Sequence, residues 1–477
     1  MMTYDDAVAY LNTLTNYEQT HQPEAMRTVP LSRMRALCAR LGDPQTSFRS
    51  ILVAGTNGKG SICAMSYEIL RAAGLRVGLY TSPHLEDLRE RIRISAECGM
   101  RPPAPSNAGR AGNAEWTRPE ADWISPEAFA ALIERMRPAI DSFTGSAEGP
   151  LTYFEALTAA AFLHFADRKV SIAVLEVGLG GRLDATNIAE PAVSVIGPIG
   201  LDHTEILGQD LLSIAGEKAA VMRPGRPVIS AAQHPEVAGL LRERAAAKGC
   251  RLIECGQQVG VDVLAHEPAS GLRVSVRGTR GRYEPLRVPL LGRHQADNAL
   301  MAIAAVEALA KEGAPYRAVE AGCSAIRWPG RLELVHDRPI VLLDGAHNPP
   351  AARTLAQTLQ ELWPHRRKHL LLGISRDKAA QGIGEPLIPL ASSVTCTKSR
   401  HPRAGDPQQL AESMDRFGVR AAVMPDARDA CTYLLNTVDP EDMIVVTGSL
   451  FLVGELRTAL AQEGRCPFAS LRAVVSE

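Results

Sequence analysis

The stretch VAGTNGKGSICAMSYEIL, residues 53–70, sets a lysine between glycines where an apolar run meets a helix-forming one. Gly55, Gly58 and Gly60 let the backbone turn tightly and aim N–H groups at an anion, and the helix that begins there adds its positive end. Lys59 offers a point charge to the β- and γ-phosphates of a nucleotide, and the Ser61 hydroxyl suits a phosphate oxygen or magnesium. A generic Walker A loop has its hydroxyl residue directly after the lysine. Here Gly60 intervenes, and Val53 stands where that pattern wants its first glycine. Three more groups follow apolar runs. Glu176 closes IAVLE ahead of the glycine-rich GLGGRLDATN; at the carboxyl edge of a parallel strand it would hold Mg²⁺ beside the loop, or be a solvated strand end. Asp202 and His203 follow the run ending at Ile199, and His203 fits either a metal ligand or a turn histidine. Lys218, after Glu217, sits on a helix where Ile214 and Val221 repeat at helical spacing; alone it reads as a solvated helix residue.

These groups need parallel strands to position them, and the chain supplies alternating strand and helix patterns. Ile51–Val53, Val77–Tyr80, Ile172–Glu176, Val193–Ile196 and Val228–Ser230 read as strands. Cys63–Ala73, Pro126–Phe143, Glu155–Asp167 and Ser213–Met222 read as helices. Ala96–Asp122, crowded with Gly, Pro and Ala, reads as a mobile surface insertion. After a helix from Asp297 to about Glu312, Pro329 and Gly330 punctuate the chain. A second alternation then begins, with strands at Val341–Leu343, His369–Ile374, Val394–Thr397, Ala421–Met424 and Met443–Thr447. The expected architecture is α/β: residues 1–327 form a P-loop ATPase-like domain with a mostly parallel sheet, and 328–477 a smaller Rossmann-like domain.

In 477 residues, 45% hydrophobic and 22% charged with a formal net charge of −1, nothing electrostatic argues for nucleic acid or an anionic membrane as partner. The acidic start lacks a signal-peptide pattern, and no apolar stretch approaches the roughly 20 residues that span a bilayer. Nine scattered cysteines suggest reduced thiols rather than disulfides or a zinc site. A cytoplasmic protein is expected.

The segments VAGTNGKGS, YTSPHL with ERIRI, TYFEALT, EVGLGGRLDATN, GLDHTEILG with GEKAAVM, LLGRHQADNA, PGRLE, DGAHNPPAA and TGSLFLVGE occur in one order. Together they closely resemble the folylpolyglutamate synthase and dihydrofolate synthase family, a branch of the Mur-ligase superfamily of ATP-dependent amide ligases. The resemblance runs from roughly Tyr4 to Leu460, the insertion excepted, and the shortened loop is the family's own form.

The resemblance implies that ATP, a folate-type carboxylic acid and L-glutamate give an amide, ADP and phosphate through an acyl phosphate. It places the nucleotide on Gly55, Thr56, Asn57, Gly58, Lys59, Gly60 and Ser61. One magnesium falls to Ser82 and Glu176 and a second to His203, with Lys218 carbamylated as an anionic oxygen ligand. Asn298 and Asp344 would meet the nucleoside and Arg331 the phosphates, with His347 close to Asp344. Without the family, Asn298 reads as a helix-surface amide and Arg331 as a linker salt-bridge partner. Lys59, Lys218, Arg331 and His347 are the expected catalytic groups. Thr152, Phe154, Glu155 and Asp184 match the dihydropteroate pocket, where Phe154 would stack on a pterin or fill the core. No residue of the 21–29 segment is assigned. The resemblance implies the bifunctional enzyme, taking dihydropteroate or reduced folates; its variant extends finished folates only. The alternative of another class is a nucleotide-binding regulatory module without ligase activity, against which Glu176, His203 and Lys218 together argue. A monomer with small-molecule partners is expected.

Overall fold

Strands covered on both faces must be apolar on both, and the first sheet obeys this. In β1 (Arg49–Ala54), Ile51 and Val53 pack into one core while Leu52 and Ala54 pack into another. The computed structural model describes residues 1–20, 22–95, 122–309 and 315–462. The 96–122 insertion therefore lies outside the described residues except for Asp122, which accepts a hydrogen bond from Tyr67 Oη.

The first sheet contains β1, β2 (Val77–Tyr80), β3 (Ile92–Ile94), β4 (Ile172–Glu176), β5 (Val193–Ile196), β6 (Val228–Ser230) and β7 (Leu252–Glu254). Its order is β3-β2-β4-β1-β5-β6-β7, with only the edge strand β3 antiparallel. Helices Pro126–Asp141 and Tyr153–Asp167 cover one face, and Lys59–Ala72 and His294–Leu309 the other. The carboxyl ends of β1, β4 and β5, central in the sheet, converge on one edge, where an α/β sheet binds its ligands.

A three-stranded antiparallel sheet, absent from the sequence expectation, follows: β8 (Gly260–Glu267), β9 (Gly271–Arg277) and β10 (Arg282–Val288). Its apolar side (Leu272, Val274, Val276, Leu286) packs into the His294–Leu309 core. Glu307 of that helix is wholly buried, and its carboxylate accepts from Thr279 N, Thr279 Oγ1, Arg280 N and Tyr283 Oη at the β9–β10 turn. Four donors compensate a charge that burial alone would make very costly.

The last sheet contains β11 (Glu333–Asp337), β12 (Ile340–Leu343), β13 (Lys368–Leu372), β14 (Ala391–Lys398), β15 (Ala422–Asp426) and β16 (Met443–Thr447). They run in the order β11-β12-β16-β13-β14-β15, parallel except for β11. The chain crosses to it at 326–332, where Gly330 is held at φ +70° between Leu85 of the first unit and Val453 of the second. No helix among the described residues is long and apolar enough to cross a membrane.

Candidate active site

The nucleotide loop leaves β1 at Ala54, and Gly58, at φ +80°, starts the helix Lys59–Ala72. A Cβ on Gly58 would stand 2.5 Å from Asn298 Oδ1, and one on Gly60 would stand 2.9 Å from the ring of Trp328. The glycine between lysine and serine is thus the point where the interdomain linker rests on the loop. Thr56 Oγ1 donates to the Gly200 carbonyl (3.0 Å) and accepts from its N–H (3.1 Å), tying the loop to the Asp202–His203 turn. Lys59 Nζ donates to the Thr56 carbonyl at 3.2 Å, and Ser61 is buried in the first helical turn.

Lys218 is buried under this loop, its Nζ donating to the Gly55 carbonyl at 2.8 Å. Burial, and then the charge of Lys59, pull its amine down to about 7. The solvated-helix reading therefore does not describe it. Glu176 is also buried, and its Oε2 accepts from the Ser82 backbone N–H at 3.1 Å, which brings the two together. Burial pushes its carboxyl up against the opposing charges of Lys59, Arg331 and Arg91. Oxygen donors and a desolvated carboxylate among cations suit a hard ion. No group of three or more His, Cys, Asp or Glu among the described residues would enclose a metal.

Asp202 is the centre of a second cluster. Its Oδ1 accepts from Lys378 Nζ at 2.6 Å and its Oδ2 from Asn348 Nδ2 at 2.9 Å, with His347 Nε2 3.9 Å away. Burial works to raise its carboxyl, but the opposing charge it faces, at neutral pH that of the Lys378 ammonium, outweighs it and holds it low. His203 adopts a left-handed φ of +50°, and its Nε2 faces Lys378 Nζ at 3.2 Å rather than another expected metal ligand. Burial first, then Lys378, depresses its ring to about 3. His347 donates from Nδ1 to the Gly345 carbonyl at 2.8 Å, which leaves Nε2 as the acceptor, and burial depresses its ring to about 4.

Of the junction residues, Arg331 and Asp344 lie close enough for their charges to interact. Asp344 is buried; it accepts from Leu332 N (2.9 Å) and Ala346 N (3.0 Å), shaping the loop that carries Arg331, and burial raises its carboxyl. Asn298 is a buried amide, not a helix-surface one. It presses Oδ1 on the nucleotide loop and donates from Nδ2 to Gln295 Oε1 at 2.9 Å.

Thr152, Phe154, Glu155 and Asp184 all line a cavity of about 420 Å³ that also meets Ser82, Gly178, His203 and, from the second domain, Arg403 and Phe451. Three of the four spend their polar atoms on its wall. Thr152 and Glu155 cap one helix reciprocally, and Glu155 also takes a bidentate pair from buried Arg33 (2.9 and 2.7 Å). Asp184 accepts from Leu179 N, Thr186 N and Thr186 Oγ1. Phe154 presents its ring, tilted against Tyr80 with centroids 6.1 Å apart.

Sequence reasoning left out Arg33, Asn348, Lys378 and Arg403, as well as Glu18, which Arg91 holds at 2.8 and 2.6 Å while Arg403 Nη1 donates to its carbonyl. For Lys378 one weak signal was available: it lies in the loop that leaves the carboxyl end of a parallel strand, β13 (Lys368–Leu372), six residues past that end, whereas Glu176 is itself the last residue of β4.

A P-loop sheet joined to a Rossmann-like sheet, with the loop facing the second unit, defines the Mur ligases. Residues 127–306 match the Mur ligase middle domain and 330–450 the Mur ligase glutamate ligase domain. The chain is 36% identical to the dihydrofolate synthase/folylpolyglutamate synthase of Mycobacterium tuberculosis, over 96% of this chain and 95% of that one. It is 33% identical to the Bacillus subtilis protein of the same name, over 90% and 94%. The solved M. tuberculosis folylpolyglutamate synthase complexed with ADP superposes with a TM-score of 0.84 at 34% identity, covering 96% and 98%. The chain belongs to the folylpolyglutamate synthase/dihydrofolate synthase family: it is an ATP-dependent amide ligase that joins L-glutamate to folates.

Proposed function

We propose that this ligase is bifunctional, accepting dihydropteroate as well as reduced folates. The observation that carries the reading is the cavity, whose Phe154 face and apolar side chains such as Met34, Leu31 and Leu183 suit a flat ring system. Its edge at Ser82, Gly178 and His203 would bring the acceptor carboxylate towards the nucleotide loop. The M. tuberculosis and B. subtilis relatives, whose names carry both activities, support the same reading.

A carboxylate oxygen attacks the γ-phosphorus of ATP, the bond to the β–γ bridging oxygen breaks, and ADP leaves. The glutamate amine then attacks the acyl carbon, the C–O bond to phosphate breaks, and one proton is released per amide formed. Lys59 and Arg331 offset the charge of carboxylate and triphosphate, which otherwise repel. Asn298 and Asp344 frame the nucleoside end, and His347 offers Nε2 as an acceptor for the incoming amine. Ser82 and Glu176 would hold one Mg²⁺, and His203 with modified Lys218 a second; Mg²⁺ supplies charge neutralisation on the phosphates.

Lys218 is suited to carbamylation because its amine, pulled down to about 7, is largely neutral near physiological pH. The neutral amine adds CO₂ to give the carbamate and a proton. The product is an anion beside Lys59, so a repulsive pair becomes an attractive one. The reading divides the chain at 327/328 and takes it as a monomer. Every cysteine among the described residues is an unbridged thiol, which supports a cytoplasmic setting.

The test is ADP release with dihydropteroate, with tetrahydrofolate and with no acceptor, each with glutamate. Glutamate-dependent turnover on both acceptors is expected; turnover on tetrahydrofolate alone would reduce the enzyme to a folate-extending synthase.

A further inference from the structure

Lys378 belongs to none of the motifs that carry the family resemblance, yet its side chain, 8% exposed, crosses from the second unit to the first. The backbone fixes its approach: Lys378 N donates to the Ser375 carbonyl at 3.0 Å, and neighbouring Asp377 is paired with Arg403. The loop thus delivers Nζ to within 2.6 Å of Asp202 Oδ1 and 3.2 Å of His203 Nε2. An ammonium has donors and no lone pair, so both atoms accept from it. They are an anionic oxygen and a neutral imidazole nitrogen, donors that a divalent cation also takes.

We propose that Lys378 is the resident cation of the Asp202–His203 site, which a divalent metal must displace, and that it sets how readily this site takes metal before nucleotide arrives. The proposal rests on the reading of His203 as a metal ligand. Nε2 has one lone pair, so it cannot serve the ammonium and a metal together, and a divalent charge at that point repels Nζ. With the metal absent, the ammonium keeps Asp202 neutralised and its place in the domain seam filled.

The test is a titration with Mn²⁺ alone, following the electron paramagnetic resonance signal of the free ion. It compares the unsubstituted chain, Lys378→Met, His203→Ala and the double variant. Removing a competing cation from contact distance should tighten Mn²⁺ binding at one site by about tenfold or more. The double variant should lose that gain. Unchanged or weaker binding in Lys378→Met, including none measurable in either protein, overturns the proposal, as does a gain that survives in the double variant. A site lost in His203→Ala but unaltered in Lys378→Met would leave the ligand reading standing and remove only the role of Lys378. The unsubstituted chain supplies a second readout that needs no variant to fold. Saturating Mn²⁺ should raise acetylation of Lys378 severalfold in peptide mass spectra, and an unchanged rate also overturns the proposal.

Discussion

Asn57 of the nucleotide loop and Asn348 of the second unit exchange hydrogen bonds across the domain seam. Asn57 Nδ2 donates to Asn348 Oδ1 at 3.2 Å, and Asn348 Nδ2 returns a bond to Asn57 Oδ1 at 2.9 Å. The same Asn348 amide donates to Asp202 at 2.9 Å and caps the helix Pro349–Leu362 by accepting from Ala351 N. One side chain therefore ties the loop, the Asp202 cluster and a helix start together.

Serine keeps the cap but is too short for the bridge, which separates the two jobs. Asn348→Ser should lower kcat/KM for ATP about tenfold, the worth of one to two net hydrogen bonds, with little change in Tm. Asn348→Ala should lose the cap as well, at about 1 kcal/mol of stability. Steady-state kinetics and thermal melts check this. An unchanged kcat/KM in Asn348→Ser would assign Asn348 to the helix alone, and a Tm falling equally in both variants would place the stability in the bridge that both lose rather than in the cap.

Lys218 couples pH to stability. Its folded value, about 7, lies below the ordinary 10.5, so the unfolded chain binds the extra proton between those values. Stability from this group therefore rises with pH across that window, and the cost of burying its charge is full below it. In CO₂-free buffer, the Tm gained by Lys218→Met should be larger at pH 6 than at pH 9. Lys218→Ala should lose activity about 100-fold and recover part of it with an added short carboxylate. Full activity of the alanine variant is incompatible with any ligand role.

The parallel core was legible because a strand buried on both faces writes itself as an apolar run: Val77–Tyr80, Ile172–Glu176, Val193–Ile196, Val228–Ser230 and Met443–Thr447 fall on the expected residues. The β8–β10 sheet was not. One side of it is wet, and Arg273, Arg277 and Glu284 interrupt the apolar residues, while Pro285 inside β10 reads as a break. At the site, the loop and Glu176 are read locally from a glycine pattern and a strand end. Lys378 and Asp202 stand 176 residues apart, and Arg33 and Glu155 stand 122 apart. Such pairs come together only through the packing of whole elements, so each alone reads as an ordinary surface charge.

The Arg33–Glu155 pair forms the cavity wall. Both side chains are under 10% exposed, and the carboxylate also accepts from Thr152 N and Oγ1. Glu155→Ala would leave a buried guanidinium unpaired and unlock a helix start, at about 3–5 kcal/mol. The expected outcome is a lower Tm and a raised KM for the folate acceptor, with KM for ATP little changed. Denaturant unfolding and kinetics on each substrate check it; an equal rise in both KM values would show that the wall also supports the nucleotide loop.

Gly60 distinguishes this loop from a generic Walker A, and Trp328 gives a steric reason for it. A Cβ at position 60 would lie 2.9 Å from Trp328 Cζ2 and 3.2 Å from Nε1, closer than carbon atoms pack without something moving. The side chain that would have to move belongs to the linker between the units, immediately before Pro329 and Gly330. Gly60→Ala should therefore misplace the linker as well as the loop, and kcat/KM for ATP should fall by about tenfold or more, because small displacements of a positioned phosphate are expensive. If the collision is the cause, Trp328→Leu in the Gly60→Ala background should restore most of the loss by making room. If the loop instead needs glycine for its own backbone, the second substitution restores nothing, and the double variant is at best as slow as Gly60→Ala alone.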